Sequence, residues 1–138
     1  MEQILRLDMS RKEAQKEEVS EEYRLMGGRG LSAMILNKEI DPLCHPLGGG
    51  NKLVVAPGLL AGTLAPSFGR ISMGGKSPLT LGIKEANAGG TAAQKMDRLG
   101  IKAIVVEGKT AGDEFSIVRI SQDGCEFLPA NGLAGKRN

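Results

Sequence analysis

Short alternating runs of apolar and polar residues predict most of the secondary structure. Residues 3–9 carry Ile4, Leu5 and Leu7 among polar neighbours, which is typical of a β-strand with a buried face. By contrast, residues 10–22 are almost entirely polar, so this segment is predicted to be a solvated turn. The remaining strands are predicted at 52–58, 70–74, 79–83 and 101–108, with a hairpin over 114–129 that turns at an Asp-Gly pair.

Two stretches have helical spacing instead. Leu31, Met34 and Ile35 follow a helical period that ends near Ile40, before an Asp-Pro pair. A shorter helix with Ser20 as its N-cap is predicted to precede this one. The two helical segments together span about 20–40, and the glycines at 27–30 separate them. A second helix is predicted at 89–99, between glycines. These elements predict an α+β, β-rich fold with short helices.

Two pairs of segments resemble each other within the chain. "NKLVVAPG" (51–58) has the rhythm of "IKAIVVEG" (101–108), and "QILRLDMS" (3–10) has that of "FSIVRISQ" (115–122). A duplicated β-rich unit explains both pairs. Chance similarity between short strands explains them equally well, so both interpretations stay open from these echoes alone.

Charge and composition exclude several classes of function. The net charge is +2, there is no long run of Lys or Arg, and only four residues are aromatic, so no nucleic-acid partner is predicted. Cys44 and Cys125 are far apart and are predicted to be reduced thiols. With His45 they fall short of a zinc site, and His45 is predicted to have no role. Without a long apolar run or a signal peptide, a cytoplasmic protein without a membrane span is expected.

The glycine-rich stretch 69–90 is the strongest candidate for a functional site. Its six glycines leave backbone exposed, and Arg70 and Lys76 suggest a negatively charged ligand. Glycine N–H groups and a guanidinium are suited to phosphate. Each residue also has a plainer interpretation: Arg70 at a strand start on the surface, Lys76 and Thr80 in a turn around Pro78, and Asn87 with Gly89 and Gly90 in a left-handed turn.

Several motifs together resemble one enzyme family. The pieces are "GGRGLSAMIL", "DPLCHPLGGGNKLVVAPGLLAGTLAPSFGR", "KSPLT", "EANAGG" and "IKAIVVEGK", in that order and at matching spacing between residues 27 and 109. Together they resemble the N-terminal domain of the tungsten-containing aldehyde:ferredoxin oxidoreductase family. The resemblance extends over nearly the whole chain, and the combination of motifs is specific although no single motif is.

The resemblance implies a cofactor and a set of residues to hold it. Family members carry a bis-pyranopterin cofactor with tungsten, sometimes molybdenum, whose two phosphates share a magnesium ion. Arg70 matches the arginine that meets a pterin phosphate, and Asn87 matches the residue whose backbone carbonyl holds the magnesium. Gly89 and Gly90 match the N–H groups near phosphate, while Lys76 and Thr80 are further candidates for cofactor contact or for the turn. Arg29 is a weaker candidate for the same surface.

The resemblance also implies an incomplete domain. It predicts one partial domain over 1–138 made of intertwined β repeats at about 1–90 and 91–138, with the second repeat truncated. A [4Fe-4S] cluster needs four thiolates, which in the family lie in later domains, so the chain is not expected to ligate it. The chain is therefore not expected to be catalytic alone.

Three explanations of this incompleteness remain open. The chain is a fragment of a longer enzyme, a split-gene subunit completed by another subunit, or a free-standing binding or self-associating relative. In the first two cases ferredoxin is a partner of the whole enzyme. In each case exposed strand edges favour association with the remainder of the enzyme, a complementary subunit or a second copy as a homodimer.

Overall fold

A mixed six-stranded sheet organises the chain. In the computed structural model, residues 2–112, 114–133 and 135–136 are described; the end of the predicted second repeat lies partly outside them. The strand order is β2-β1-β6-β3-β4-β5, and β7 and β8 form a separate hairpin. The strands are β1 Gln3–Asp8, β2 Glu13–Glu18, β3 Leu53–Pro57, β4 Ile71–Lys76, β5 Ile83–Ala88, β6 Ile101–Glu107, β7 Ser116–Ser121 and β8 Gly124–Pro129.

The central position of β6 follows from its sequence. Its run IKAIVVE is apolar on both faces, as expected for a strand covered from both sides. It pairs in parallel with β1 and antiparallel with β3, so a strand from the predicted second repeat lies between strands of the first. This topology confirms the predicted β-rich α+β architecture with short helices.

One face of the sheet is covered by the longer helix, α1 (Gly28–Glu39). Leu31, Ile35 and Leu36 of this helix are fully buried against inward-facing residues of β1, β3 and β6. The helix also lies close to β4, because a Cβ added at Gly74 would be 3.1 Å from Leu36 Cδ1. A glycine in the strand therefore permits the close packing of helix on sheet.

The opposite face is covered by the shorter helix, α2 (Ala92–Arg98), and by the β7–β8 hairpin. Met96 of α2 and Phe127 of β8 pack against the same cluster as Leu5 and Leu7. Cys125 is in this layer too, and burial raises the pKa of its thiol. The fold therefore has three layers, with the sheet in the middle.

The polar segment 10–22 is where the sequence prediction fails first. It was predicted to be a solvated turn, but Glu13–Glu18 form β2, which pairs antiparallel with all of β1. Almost every side chain of β2 is exposed, so no apolar alternation marks it. Backbone hydrogen bonds to β1 define this outermost strand, and charged side chains are typical of such edges.

The glycine-rich stretch 69–90 differs from its prediction as well. It is a hairpin of two paired strands, β4 and β5, of which β4 lies close to the predicted strand at 70–74. The predicted strand at 79–83 is wrong, because residues 77–82 form the turn and β5 begins at Ile83. Ser77 N–H donates to the carbonyl of Gly82 at 2.9 Å and closes this turn.

The helix boundaries shift by a few residues. Helix α1 includes the glycines that were expected to interrupt it, with Gly27 as its N-cap. The short helix predicted after Ser20 is a single 3-10 turn, Glu21–Tyr23, and Ser20 makes no side-chain cap bond. Neither helix in the described part of the chain is long and apolar enough to cross a membrane.

Candidate functional site

The β4–β5 hairpin brings four of the six predicted site residues to one end of the sheet. Ile71 is paired with Ala88 in the register, so Arg70 precedes β4 where Gly89 and Gly90 follow β5. The contact at this end is close, because a Cβ on Gly69 would be 2.8 Å from the carbonyl oxygen of Gly90. Arg70, Asn87, Gly89 and Gly90 therefore form one cluster, here called the Arg70 end of the hairpin.

Space is open beside the two glycines that follow β5. A Cβ added at Gly89 or Gly90 meets no atom of the described residues within 4 Å. Gly90 also has φ +119°, a value that side-chain-bearing residues rarely adopt. The backbone here is consequently accessible to an external group.

Arg70 is a cation of this cluster without an ion-pair partner among the described residues. Its side chain is exposed, and none of the ion pairs among the described residues includes it. Its carbonyl is engaged, since it accepts a hydrogen bond from Gly58 N–H at 3.1 Å. The backbone of Arg70 is thus fixed to the β3 side while its guanidinium stays available for an anion.

That same hydrogen bond determines which way the backbone of Asn87 faces. In an antiparallel pair, successive residues direct their N–H and C=O groups to opposite neighbours. The backbone of Arg70 hydrogen-bonds to the β3 side, so the backbone of Ser72, two residues on, faces β3 as well. Ser72 is paired with Asn87 of β5, and these two residues therefore form a non-hydrogen-bonded pair. Asn87 therefore directs its carbonyl away from β4, to the open edge of the sheet.

A carboxylate, Glu85, collects side chains around the same end. It accepts hydrogen bonds from Arg29 Nε at 2.7 Å and Asn87 Nδ2 at 3.0 Å, and a short one from the buried Ser72 hydroxyl. These donors, Ser72 first, lower the pKa of Glu85. Sequence reasoning missed Glu85 and Ser72, and the signal for them was the strand register, which places both on the face of Asn87.

Lys76 and Thr80 lie at the other end of the hairpin. Lys76 ends β4, about 20 Å from Arg70 at the usual strand rise. Its ammonium is buried and donates to the carbonyls of Pro42 at 2.5 Å and Cys44 at 2.7 Å. Thr80 is exposed in the turn, where its N–H donates to Ser77 Oγ at 3.4 Å. The structure does not bring these two residues to Arg70.

Ion pairs form a second, separate cluster on the α1 face. Arg6 contacts Glu39 and Glu17 at 2.7 Å each, and Lys52 contacts Glu39 at 2.8 Å and Glu107 at 2.6 Å. Arg6 and Lys52, through their hydrogen bonds, hold the pKa of Glu39 at about 2. Every charge here has a partner, so the cluster joins elements of the fold and offers no free group to a ligand.

No metal cluster is built from protein side chains in the described residues. They contain no group of three His, Cys, Asp or Glu side chains that could hold an ion. His45 Nδ1 accepts a hydrogen bond from Leu47 N–H at 3.2 Å in its loop. Both cysteines are free thiols.

Comparison with known proteins assigns the chain to a family. The family model described as "Aldehyde ferredoxin oxidoreductase, N-terminal domain" matches residues 4–138. The chain belongs to this family. The resemblance drawn from the glycine-rich motifs is thereby confirmed.

Relatives of the aldehyde ferredoxin oxidoreductase family are much longer than this chain. The tungsten-containing aldehyde ferredoxin oxidoreductase of Thermococcus kodakarensis is 41% identical over 135 residues, and that of Pyrococcus furiosus is 38% identical over 136. These matches cover 96% and 97% of the chain but 22% of each relative. The chain thus spans about a fifth of the relatives that it matches.

A solved structure of the same fold supports the family assignment. The active site complex BamBC of benzoyl coenzyme A reductase, in complex with 1,5-dienoyl-CoA, matches with a TM-score of 0.89. The two chains are 28% identical, and the match covers 96% of this chain and 20% of the other. This chain therefore superimposes on the solved structure over nearly its whole length.

Proposed function

We propose that this chain is the cofactor-seating N-terminal portion of a tungsten, or molybdenum, bis-pyranopterin enzyme that oxidises aldehydes and passes electrons to ferredoxin. The family membership and the tungsten enzymes among its relatives support this proposal. The metal pterin supplies the redox centre when bound. The chain itself supplies binding groups, so it is not catalytic alone.

The observation that carries the proposal is the Arg70 end of the hairpin. A free guanidinium lies beside glycine backbone that has open space around it. An exposed arginine can give paired, charge-assisted hydrogen bonds to phosphate oxygens, and bare glycines let N–H groups approach the same phosphate. The residues present therefore fit a pterin phosphate.

The carbonyl of Asn87 fits a magnesium ion next to that phosphate. Magnesium prefers oxygen ligands, retains several waters and often bridges phosphate groups. Because the Asn87 carbonyl faces the open edge of the sheet, no backbone N–H of the described residues occupies it, and it can serve such a cation. Gly89 is two residues further, so strand periodicity would direct its N–H to the same side.

The other predicted cofactor residues lie beyond reach of this phosphate. Lys76 and Thr80 are at the far end of the hairpin, and the Lys76 ammonium already holds two carbonyls of the 41–50 loop. Their contact with the cofactor stays a prediction, as does the division into repeats at about 1–90 and 91–138. In the proposed enzyme, a [4Fe-4S] cluster belongs to other segments, because this chain has only two cysteines and the cluster needs four thiolates.

One observation favours a second candidate, a binding or self-associating module. Leu43, Leu64 and Leu79 are 92%, 104% and 93% exposed, in loops that flank the sheet. Large exposed apolar side chains near an open strand edge are typical of surfaces that another chain covers. The rest of the enzyme, a complementary subunit and a second copy of the chain would each cover them.

Metal and phosphate analysis of the chain, purified without oxygen from its own host, tests the proposal. Tungsten or molybdenum with organic phosphate is expected, together with any larger polypeptide that stays bound. Arg70→Ala should lose metal and phosphate together, whereas Arg119→Ala, at another exposed arginine, should keep both. Metal-free wild-type protein that sediments as a dimer without other polypeptides would favour the self-associating module.

A further inference from the structure

Glu85 accepts hydrogen bonds from three side chains and is largely buried, although it lies on an edge strand. Its side chain is only 14% exposed, although β5 is the outermost strand of the sheet. Two donors converge on Oε1: Arg29, through Nε at 2.7 Å and Nη2 at 2.6 Å, and Asn87, through Nδ2 at 3.0 Å. The hydroxyl of Ser72 donates to the other oxygen, Oε2.

The three donors come from three different elements. Arg29 is in the first turn of α1, Ser72 is in β4 and Asn87 is in β5 itself. Ser72 is 1% exposed, so the hydrogen bond from its hydroxyl anchors one oxygen of Glu85 to a buried position of β4. The carboxylate therefore joins the start of the helix to the end of the hairpin where Arg70 lies.

The arrangement separates the two arginines near this end by role. Arg29 forms an ion pair with Glu85, whereas Arg70 has no such partner among the described residues. The pair of Arg29 and Glu85 is neutral as a unit, so the anion-binding charge of the seat rests with Arg70.

We propose that Glu85 is a positioning residue for the phosphate and magnesium seat. It holds the Asn87 side chain by its amide and thereby fixes the backbone of β5 where the Asn87 carbonyl faces the edge. It also keeps Arg29 on the sheet side of the seat. This inference rests on the proposed function, since the seat is what Glu85 positions.

Charge repulsion and positioning predict opposite changes in anion affinity when the Glu85 carboxylate is removed, so a binding measurement can distinguish them. A carboxylate near a phosphate repels it, so its removal should tighten anion binding if charge alone mattered. If Glu85 acts by positioning, its removal should weaken the binding, because Asn87 and the following glycines lose their anchor. The direction of the change separates the two roles.

The probe is magnesium pyrophosphate, which offers two linked phosphates and the cation, titrated calorimetrically into the whole chain. Glu85→Gln should bind it about fivefold more weakly, which is the effect of about one lost hydrogen bond. Glu22→Gln is the matched control, because Glu22 pairs with Lys38 at the far end of α1. It should bind as the wild type does. Unchanged or tighter binding by a folded Glu85→Gln protein would overturn the inference.

A second variant leaves Glu85 and its ion pair in place. Asn87→Ala removes the Nδ2 donor but keeps the backbone carbonyl that the magnesium would use. Weaker binding by this variant supports positioning through the side chain. Wild-type affinity in Asn87→Ala would contradict it, whether or not Glu85→Gln folds.

Nuclear magnetic resonance provides a measurement that needs no ligand. In wild-type protein the Asn87 side-chain amide should be rigid and shifted by its bond to the carboxylate, and the Gly89 and Gly90 amides should be ordered. In Glu85→Gln these three signals should move and gain mobility. If they stay unchanged, the inference fails; if they change but wild-type protein binds no magnesium pyrophosphate, the positioning holds and the proposed function fails.

Discussion

Arg6 and Glu39 face each other as a two-pronged ion pair, with Nη1 to Oε2 and Nη2 to Oε1 both at 2.7 Å. The pair joins β1 to the C-terminal end of α1, and Lys52 reaches the same carboxylate from the segment before β3. Because Glu39 is only 22% exposed, water screens this contact less than a surface pair. It is an electrostatic link between the helix and the sheet.

The first prediction concerns pH. Arg6 is the first cause that lowers the pKa of Glu39 from 4.5 to about 2 in the folded protein. The unfolded chain takes up the proton near pH 4.5, so this contribution to stability is present above that pH and is lost as the pH falls toward 2. Denaturant unfolding at several pH values should show this loss, and Glu39→Gln should flatten it.

At neutral pH, Glu39→Gln should lower the free energy of unfolding by about 2 kcal/mol, since charge-assisted hydrogen bonds to Arg6 and Lys52 are weakened. Glu126→Gln is a suitable control, because its pair with Arg119 is largely exposed. That change should cost less than about 0.5 kcal/mol. Equal effects of the two variants would contradict the special role of the Glu39 pair.

The second prediction contrasts two glycines at the Arg70 end. Gly69→Ala should destabilise the protein by about 1–3 kcal/mol, because its Cβ would overlap the Gly90 carbonyl and force the hairpin apart. Gly89→Ala should fold almost as the wild type does, since the space there is open. Its methyl group should instead reduce magnesium pyrophosphate binding. Thermal unfolding and calorimetry of both variants check this division.

The third prediction concerns the start of α1. Gly27→Ala would place a Cβ 2.4 Å from the backbone nitrogen of Leu59, so the helix start or the 58–69 loop must shift. We expect a clear fall in melting temperature. Gly30→Ala, three residues on, has no atom of the described residues within 4 Å and lies on the exposed face of the helix. It should stabilise the protein by about 0.5–1 kcal/mol.

The fourth prediction tests what Lys76 does. Lys76→Met keeps the stem but leaves the carbonyls of Pro42 and Cys44 without their donor, which should cost about 1–3 kcal/mol. Limited proteolysis should then cleave the 41–50 loop faster. Lys84→Met, at an exposed position of β5, should change neither quantity. A Lys76→Met protein of unchanged stability that binds magnesium pyrophosphate more weakly would favour cofactor contact instead.

The sequence predicted those elements whose side chains carry a burial pattern. Strand β6 and helix α1 were recognisable because their apolar residues line up with the core. Strand β2 was not, because an outermost strand needs only backbone pairing and its side chains face water. Strand β5 was misplaced for a related reason: its IKEANA sequence has little apolar alternation, and its position follows from the register with β4.

The sequence predicted those site residues whose side-chain type or glycine backbone suits a phosphate or magnesium ion. Arg70 was identified in one sequence motif and Asn87 with the following glycines in another, and the hairpin brings them together in space. Glu85 and Ser72 were not identified, because their importance depends on which face of a strand they occupy. Lys76 was selected as a cofactor residue for its charge. In the structure its ammonium is buried and donates hydrogen bonds to two carbonyls of the 41–50 loop.

The insertion of β6 between β1 and β3 has a consequence for synthesis on the ribosome. Until about residue 107 has emerged, the nascent chain holds two strand units, β1–β2 and β3–β4–β5, with no strand to join them. Such long-range closure delays folding, and the unpaired edges of β1 and β3 stay open to other chains meanwhile. A peptide that carries β6 should therefore complement a chain cut before residue 100, in the manner of a split reporter.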